Sequence, residues 1–190
     1  MPLLDQRPIM VVIAGPNGAG KSTFFQAHLS GCGLRFVNAD ILARELDAEP
    51  YQAAHLANAL RRSLVAQRES FVFETVFSDP VGDKLAFMCE SAELGYTVVL
   101  CFIGISDVRT SEDRVAMRVS QGGHDVPSQK LAERLPRTLA NLKLALVSIP
   151  HVWVFDNDDL LTPFRLAAVY ERGKPVTIGV VPRWLKPLLP

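Results

Sequence analysis

The 190-residue sequence predicts a three-layer α/β fold: helices on both faces of a mostly parallel five-stranded sheet, with a helical lid and a C-terminal hairpin. Three observations carry this reading. Apolar runs of strand length recur along the chain, helix-forming segments separate them, and the runs are continuous rather than alternating, as in strands covered on both faces. Alternation of this kind produces parallel strands joined by helical crossovers.

Taken in order, the expected strands are Ile9–Ala14, Leu34–Val37, Phe71–Thr75, Tyr96–Gly104 and His151–Phe155. Between them, helices are expected over Lys21–Leu29, over Tyr51–Arg68 with Ala53, Leu56, Leu60 and Leu64 on one stripe, and over Val81–Leu94, stopped by Gly95. After the fourth strand comes an arginine-rich helix, Asp107–Val119, ended by Gly122-Gly123. Pro127 then opens a helix that Pro136 is expected to kink or divide, with Leu135, Leu139, Leu142 and Leu146 as its core stripe. "AAVYERGKPVTIGVV" reads as a hairpin turning at Gly173-Lys174, followed by a proline-bounded tail around Trp184. One domain is expected over residues 1–190, with the lid at about 107–138 and the hairpin and tail at about 167–190.

The 20 basic and 20 acidic residues cancel, so no global field recruits nucleic acid or an anionic membrane. The longest apolar runs fall well short of the roughly 20 residues that a membrane-spanning helix needs. "MPLLDQRP" has neither a basic n-region nor a long apolar run, and a cytoplasmic location is expected. Cys32, Cys89 and Cys101 share no ligand-type spacing and read as small core residues.

The chemistry begins at "VVIAGPNGAGKSTFF", Val11–Phe25, where Gly15-Pro16-Asn17-Gly18-Ala19-Gly20-Lys21-Ser22-Thr23 carries the G-x-x-x-x-G-K-S phosphate-binding pattern between a buried strand and a helix. This context makes the fold the P-loop nucleoside-triphosphate hydrolase/kinase type, with ATP and Mg²⁺ as ligands. The glycines let backbone N–H groups face an anion, Lys21 is expected to reach the β- and γ-phosphates, and the Ser22 hydroxyl to coordinate Mg²⁺. A transport motor with such a loop would also need an L-S-G-G-Q-like loop and a strand ending in Asp-Glu. "VSQGGH" and "HVWVFDN" supply neither, which leaves a kinase or a nucleotide-dependent switch.

Beyond the carboxyl ends of the second and third strands lie Asp40 and Glu74-Thr75, where a doubly wound sheet places its ligands. Asp40 is either the carboxylate that accepts an acceptor hydroxyl's proton or the N-cap of the following helix, and Glu74 either a site residue or a solvated strand end. Arg114 and Arg118, spaced i,i+4, share a helix face ahead of the glycine pair, as phosphate-binding arginines on a closing lid or as a solvated basic face. Arg134 and Arg137 on the next helix are weaker candidates, and His124 either touches substrate or shapes its loop.

Together "VIAGPNGAGKST", "FVNADILA", "FVFETVFS", "GYTVVLCFIG", "DRVAMRVSQGGHDVP" and "LPRTLANL" resemble, in this order, the compact bacterial zeta-toxin-like P-loop kinases. The resemblance implies an ATP-dependent kinase acting on a UDP-activated sugar such as UDP-N-acetylglucosamine, and a small antitoxin protein as partner. It implies Asp40 as general base, Glu74 as a substrate-contacting acid, and Arg114 as a phosphate arginine with Arg118 or a later lid arginine beside it. The chain departs from the family pattern at Asn38-Ala39, where the larger toxins commonly have Asp-Asn, and at Val76, where the compact relatives often have Thr. A kinase for another small metabolite, or a regulatory ATPase with no small-molecule acceptor, remain the alternative readings.

Overall fold

Along the chain the elements are β1 (Ile9–Ala14), α1 (Lys21–His28), β2 (Arg35–Val37), α2 (Ala39–Glu45), α3 (Pro50–Ala66), β3 (Phe71–Thr75), α4 (Asp83–Glu93), β4 (Thr97–Gly104), α5 (Val108–Ser120), α6 (Ser128–Ser148), β5 (His151–Asp156), β6 (Arg165–Glu171) and β7 (Lys174–Ile178). They are seen in a computed structural model that describes residues 2–120, 122 and 125–190. β1 is buried at all six positions. Strand residues alternate between faces, so Met10, Val12 and Ala14 meet one apolar cluster, and Ile9, Val11 and Ile13 another. Helices α3, α4 and α6 build the first cluster with Leu64, Phe87 and Leu142; α1 builds the second with Phe24 and Phe25.

The sheet order is β2-β3-β1-β4-β5-β6-β7. Its first five strands are parallel and the last two antiparallel. The expected count of five is therefore corrected to seven, because the C-terminal hairpin extends the main sheet by pairing β6 to β5. Its turn lies one residue earlier than expected: Arg172 and Gly173 have φ of 49° and 78°, the left-handed pair that a two-residue hairpin loop requires. β5 is not buried on both faces either. Val152, Val154 and Asp156 point inward while His151, Trp153 and Phe155 are partly open, although Phe24 of α1 packs its ring against Phe155 at 4.9 Å.

α6 runs unbroken through Pro136, where a kink or division was expected. Leu135, Leu142 and Leu146 bury one flank of this 21-residue helix, and that packing carries it past the missing N–H. The tail that held no chemical signal packs Trp184 over Gly104, so closely that a Cβ there would fall 2.1 Å from the indole ring. Its Nε1 donates to Asp156 Oδ1 at 2.9 Å.

β1 is flanked by β3 on one side and β4 on the other, so connections leave it in opposite directions across the sheet. A crevice opens at the carboxyl ends of strands at such a point. That is where the glycine loop, Asn38 and Glu74 meet.

Candidate active site

The loop from Gly15 to Gly20 needs glycine for two reasons at once. Gly15 has φ +149°, and a Cβ there would sit 2.1 Å from the Ile103 carbonyl oxygen of β4. Gly20 has φ +88°, and its Cβ would fall 2.8 Å from Asn157 Nδ2. The loop is thus pinned against β4 and the end of β5 while its backbone turns toward the crevice. No side chain caps α1 at Gly20, so the N–H groups of its first turn are open to an anion.

Lys21 is buried and donates from Nζ to the Pro16 carbonyl at 3.0 Å, with Glu74 Oε1 3.9 Å away. Burial lowers its pKa; Glu74 and Asp40 work against that shift, and Arg118 and Arg134 add to it. Four sequence-predicted residues are thus near enough to act on the charge of this ammonium. Glu74 Oε2 also accepts from Ser22 Oγ and from Asn38 Nδ2, each at 2.9 Å. Asn38, given no role in the sequence reading, uses its other side-chain atom as the helix cap: Oδ1 accepts from the backbone N–H of Asp40 and Ile41. Asp40 is consequently not the N-cap of α2. It is exposed in the first turn, where a carboxylate meets the positive end of the helix.

Helix α5, expected from the sequence to act as a lid, is packed onto the loop. Ser111 Oγ donates to the Asn17 carbonyl at 2.6 Å, and Arg114 Nη2 to the Asp158 carbonyl at 2.8 Å. Arg114 Nη1 is buried without a hydrogen-bond partner. From α6, Arg134 Nη1 lies 3.4 Å from Asn17 Oδ1. Arg137 is exposed. His124 and Gly123 lie outside the described residues. Thr75 Oγ1 accepts from the backbone N–H of Phe77, a buried residue with φ 62°. That tight turn is held from α6 by Thr138 Oγ1 on Val76 O and Asn141 Nδ2 on Phe77 O. Asn157 was also missed; it donates to the Ala19 carbonyl at 2.8 Å and accepts from Phe164 N, tying the loop to the segment after β5. Asp156, the last residue of β5, is occupied by Arg165 at 2.8 Å and by Trp184.

Of the clefts that result, two are lined by Glu74. One, of about 400 Å³, runs along the glycine loop between Lys21, Ser22, Arg114 and Arg118 and ends at Met117, Leu160 and Phe164. Three cations line it against one carboxylate. The orphaned Arg114 Nη1 and the uncapped α1 terminus make it a fit for a polyanion such as a nucleoside triphosphate. The other, of about 200 Å³, is bounded by Asp40, Thr75 and Arg61.

Residues 10–144, most of the chain, match the family AAA_33, described as an AAA domain. The chain belongs to that family. No curated protein matches it. Its fold, of the α/β P-loop kinase-like type, is shared with the AvrRxo1-ORF1:-ORF2 complex crystallised with ATP, at TM-score 0.70 and 16% identity over 92% of this chain and 61% of that one. It is shared too with a structure of the PezAT chromosomal toxin–antitoxin system of Streptococcus pneumoniae, at TM-score 0.61 and 15% identity over 86% of this chain and 72% of that one. A third similar structure is the Pnkp1/Rnl/Hen1 RNA repair complex, at TM-score 0.59 and 15% identity over 90% and 51% of the two chains. The AAA_33 chain described here thus spans about three fifths of the AvrRxo1 chain that it matches. Among its described residues, no helix is long and apolar enough to cross a membrane.

Proposed function

We propose that this AAA_33 protein is an ATP- and Mg²⁺-dependent kinase that transfers the γ-phosphate to a hydroxyl of a small molecule. The supporting observation is the pair of clefts meeting at Glu74, one cationic and one holding Asp40. A hydrolase needs room for nucleotide and water; a second lined cleft on the far side of the transfer point suits an acceptor. In this reading Lys21, Arg114 and Arg118 hold the triphosphate, with Arg134 nearby, and the base rests on Met117, Leu160 and Phe164. Residues 107–138 act as the lid.

Ser22 is the residue to hold Mg²⁺, since its proton is given to Glu74 and its lone pairs face the cleft. The metal, when bound, neutralises phosphate charge. Asp40 orients the acceptor hydroxyl and takes its proton as the hydroxyl oxygen bonds to the γ-phosphorus and the bond to the leaving ADP oxygen breaks. The arginines stabilise the charge that gathers on the transferred group.

The resemblance to zeta toxins makes a UDP-activated sugar, with UDP-N-acetylglucosamine first, the acceptor to test, and a small antitoxin protein the partner; a toxin–antitoxin system among the similar structures supports trying both. The test incubates protein, ATP and Mg²⁺ with UDP-N-acetylglucosamine and, separately, with a metabolite extract, and reads added phosphate by mass spectrometry. A phosphorylated sugar nucleotide is expected. Another phosphorylated metabolite would replace the acceptor and keep the kinase. ATP hydrolysis indifferent to every metabolite would put the switch reading in its place.

A further inference from the structure

The smaller cleft contains a charge that the transfer chemistry leaves unused. Arg61 of α3 lies against the ring of Phe73 in β3, its guanidinium carbon 4.9 Å from the ring centroid. The residue is only 4% exposed, Nε is buried with no hydrogen-bond partner, and Nη2 reaches Asn58 Oδ1 at a long 3.4 Å. Among the described residues no carboxylate pairs with it. Lys84 of α4 lines the same cleft, half-buried, and it too has no ion pair there, although Asp79 and Asp83 are near enough to offset part of its burial. Burial, helped by Arg62, brings Arg61 down to about 10, and burial and then Arg61 lower Lys84.

A buried guanidinium without a counter-ion is costly in a folded protein. Its stacking on Phe73 offsets part of that cost but leaves the Nε–H unsatisfied. Such a group, placed on the wall of a cleft beside a second cation, marks a binding position. The same cleft is lined by the carboxylates of Asp40 and Glu74 and by Arg61 and Lys84. Two converging cations, one with the forked donors of a guanidinium, match the two charges and several oxygens of a phosphate ester better than a single carboxylate.

Resting on the kinase reading above, we infer that Arg61 and Lys84 form an anion subsite for the acceptor, which is a hydroxyl compound that already carries a phosphate or diphosphate group. Arg61 and Lys84 hold that group, and the hydroxyl to be phosphorylated faces Asp40. Neutral sugars and polyols are excluded as acceptors, because they would leave both cations uncompensated.

Protein saturated with Mg²⁺ and a non-hydrolysable ATP analogue, so that the glycine loop is filled, is titrated calorimetrically with inorganic phosphate and in parallel with acetate. Saturable phosphate binding is expected, stronger than that of acetate. Losing one charge-assisted contact should weaken it at least about tenfold in Arg61→Met and in Lys84→Gln, with the affinity for the analogue unchanged. Arg61→Lys, which keeps the charge, should recover part of the loss, and thermal unfolding checks that each variant is folded. Absence of phosphate binding, equal binding of acetate, or wild-type binding in both Arg61→Met and Lys84→Gln overturns the subsite. Failure of the wild type to bind the analogue refutes the kinase reading instead; titration of Lys21→Ala against Lys21→Ala/Arg61→Met, with the glycine loop disabled in both, then still decides whether phosphate binding depends on Arg61.

Discussion

Ser22 Oγ donates a hydrogen bond to Glu74 Oε2 across 2.9 Å, joining the first turn of α1 to the end of β3. The contact fixes the direction of the serine hydroxyl, so that its lone pairs rather than its proton face the nucleotide cleft. A metal ligand oriented in this way loses about 10–100-fold in metal affinity when its supporting partner is changed. Glu74→Gln should accordingly raise the Mg²⁺ concentration for half-maximal turnover by about that factor. An unchanged Mg²⁺ dependence would remove Glu74 from this role.

Lys21→Ala is the sharper test of the loop. The ammonium is buried beside Glu74 and bonded to the Pro16 carbonyl, so its removal deletes the one cation inside the loop itself. ATP turnover should disappear while thermal unfolding stays cooperative. Turnover at the wild-type rate contradicts the assignment.

Asn38 serves the fold and the site through separate atoms. Oδ1 caps α2, and Nδ2 holds Glu74. Loss of such a cap costs about 1 kcal/mol, which in a chain of this size lowers the melting temperature by about 2–4 °C. Asn38→Ala should show that drop together with a raised Mg²⁺ requirement like that of Glu74→Gln. Asn38→Asp keeps the cap but sets a second carboxylate against Glu74, and should restore the melting temperature more fully than the activity.

The parts legible in the sequence were those with local signals. Glycines at fixed spacing, continuous apolar runs and prolines or glycines at helix ends located β1 to β5, α1, α3, α4, α5 and the start of α6 to within a few residues, while α2 entered only as one of two readings of Asp40. What was not legible depends on contacts between distant segments. The hairpin was visible, but nothing in "LAAVYERGKPVTI" says that β6 docks beside β5; that follows from the β5 register, seen only in three dimensions. Asn38 and Asn157 were invisible for the same reason. Each is a common loop residue, and its meaning comes from Glu74 in one case and the Ala19 carbonyl in the other. The Asn38 cap did carry a faint signal, since Asn ahead of a helix-forming run is a favoured N-cap, but Asp40 two residues on is an equally favoured type. Arg61 looked like any polar residue on a helix; only the fold turns it onto Phe73.

With the capping role assigned to Asn38, Asp40 can be changed without touching the helix end. Asp40→Asn should therefore keep stability and nucleotide affinity and lose phosphoryl transfer, because an amide cannot take the hydroxyl proton. Single-turnover rates read this directly. Transfer retained in Asp40→Asn would send the search for the base elsewhere in the cleft.

Arg114 is anchored by Asp158 through one nitrogen and leaves Nη1 buried and unbonded in the nucleotide cleft. A guanidinium so held pays little reorganisation when charge develops on a transferring phosphoryl group. Arginines in that role contribute on the order of 10³–10⁵ in rate, so Arg114→Ala should lower kcat far more than it raises the Kd for ATP. Arg118→Ala is expected to act in the same direction. Comparable, small effects on kcat and Kd in both variants would return these arginines to a solvated basic face.

His151, at the start of β5, gives the fold a dependence on acid. Its pKa is lowered from the ordinary 6.5, first by burial; Glu171, whose Oε1 lies 3.9 Å from Nδ1, opposes the shift, and Arg172 adds to it. The unfolded chain therefore binds the proton more readily than the native one at mildly acidic pH. Stability rises with pH wherever the unfolded state holds more protons, so this residue disfavours the native state as pH falls from about 6.5 through the lowered native value, and contributes no slope above that window. Denaturant unfolding measured at a series of pH values should show a steeper acid-side loss in the wild type than in His151→Gln, with the two curves parallel above neutral pH. Parallel curves throughout the acid range would mean that His151 titrates alike in both states, and that the loss on acidification comes from the carboxylates alone.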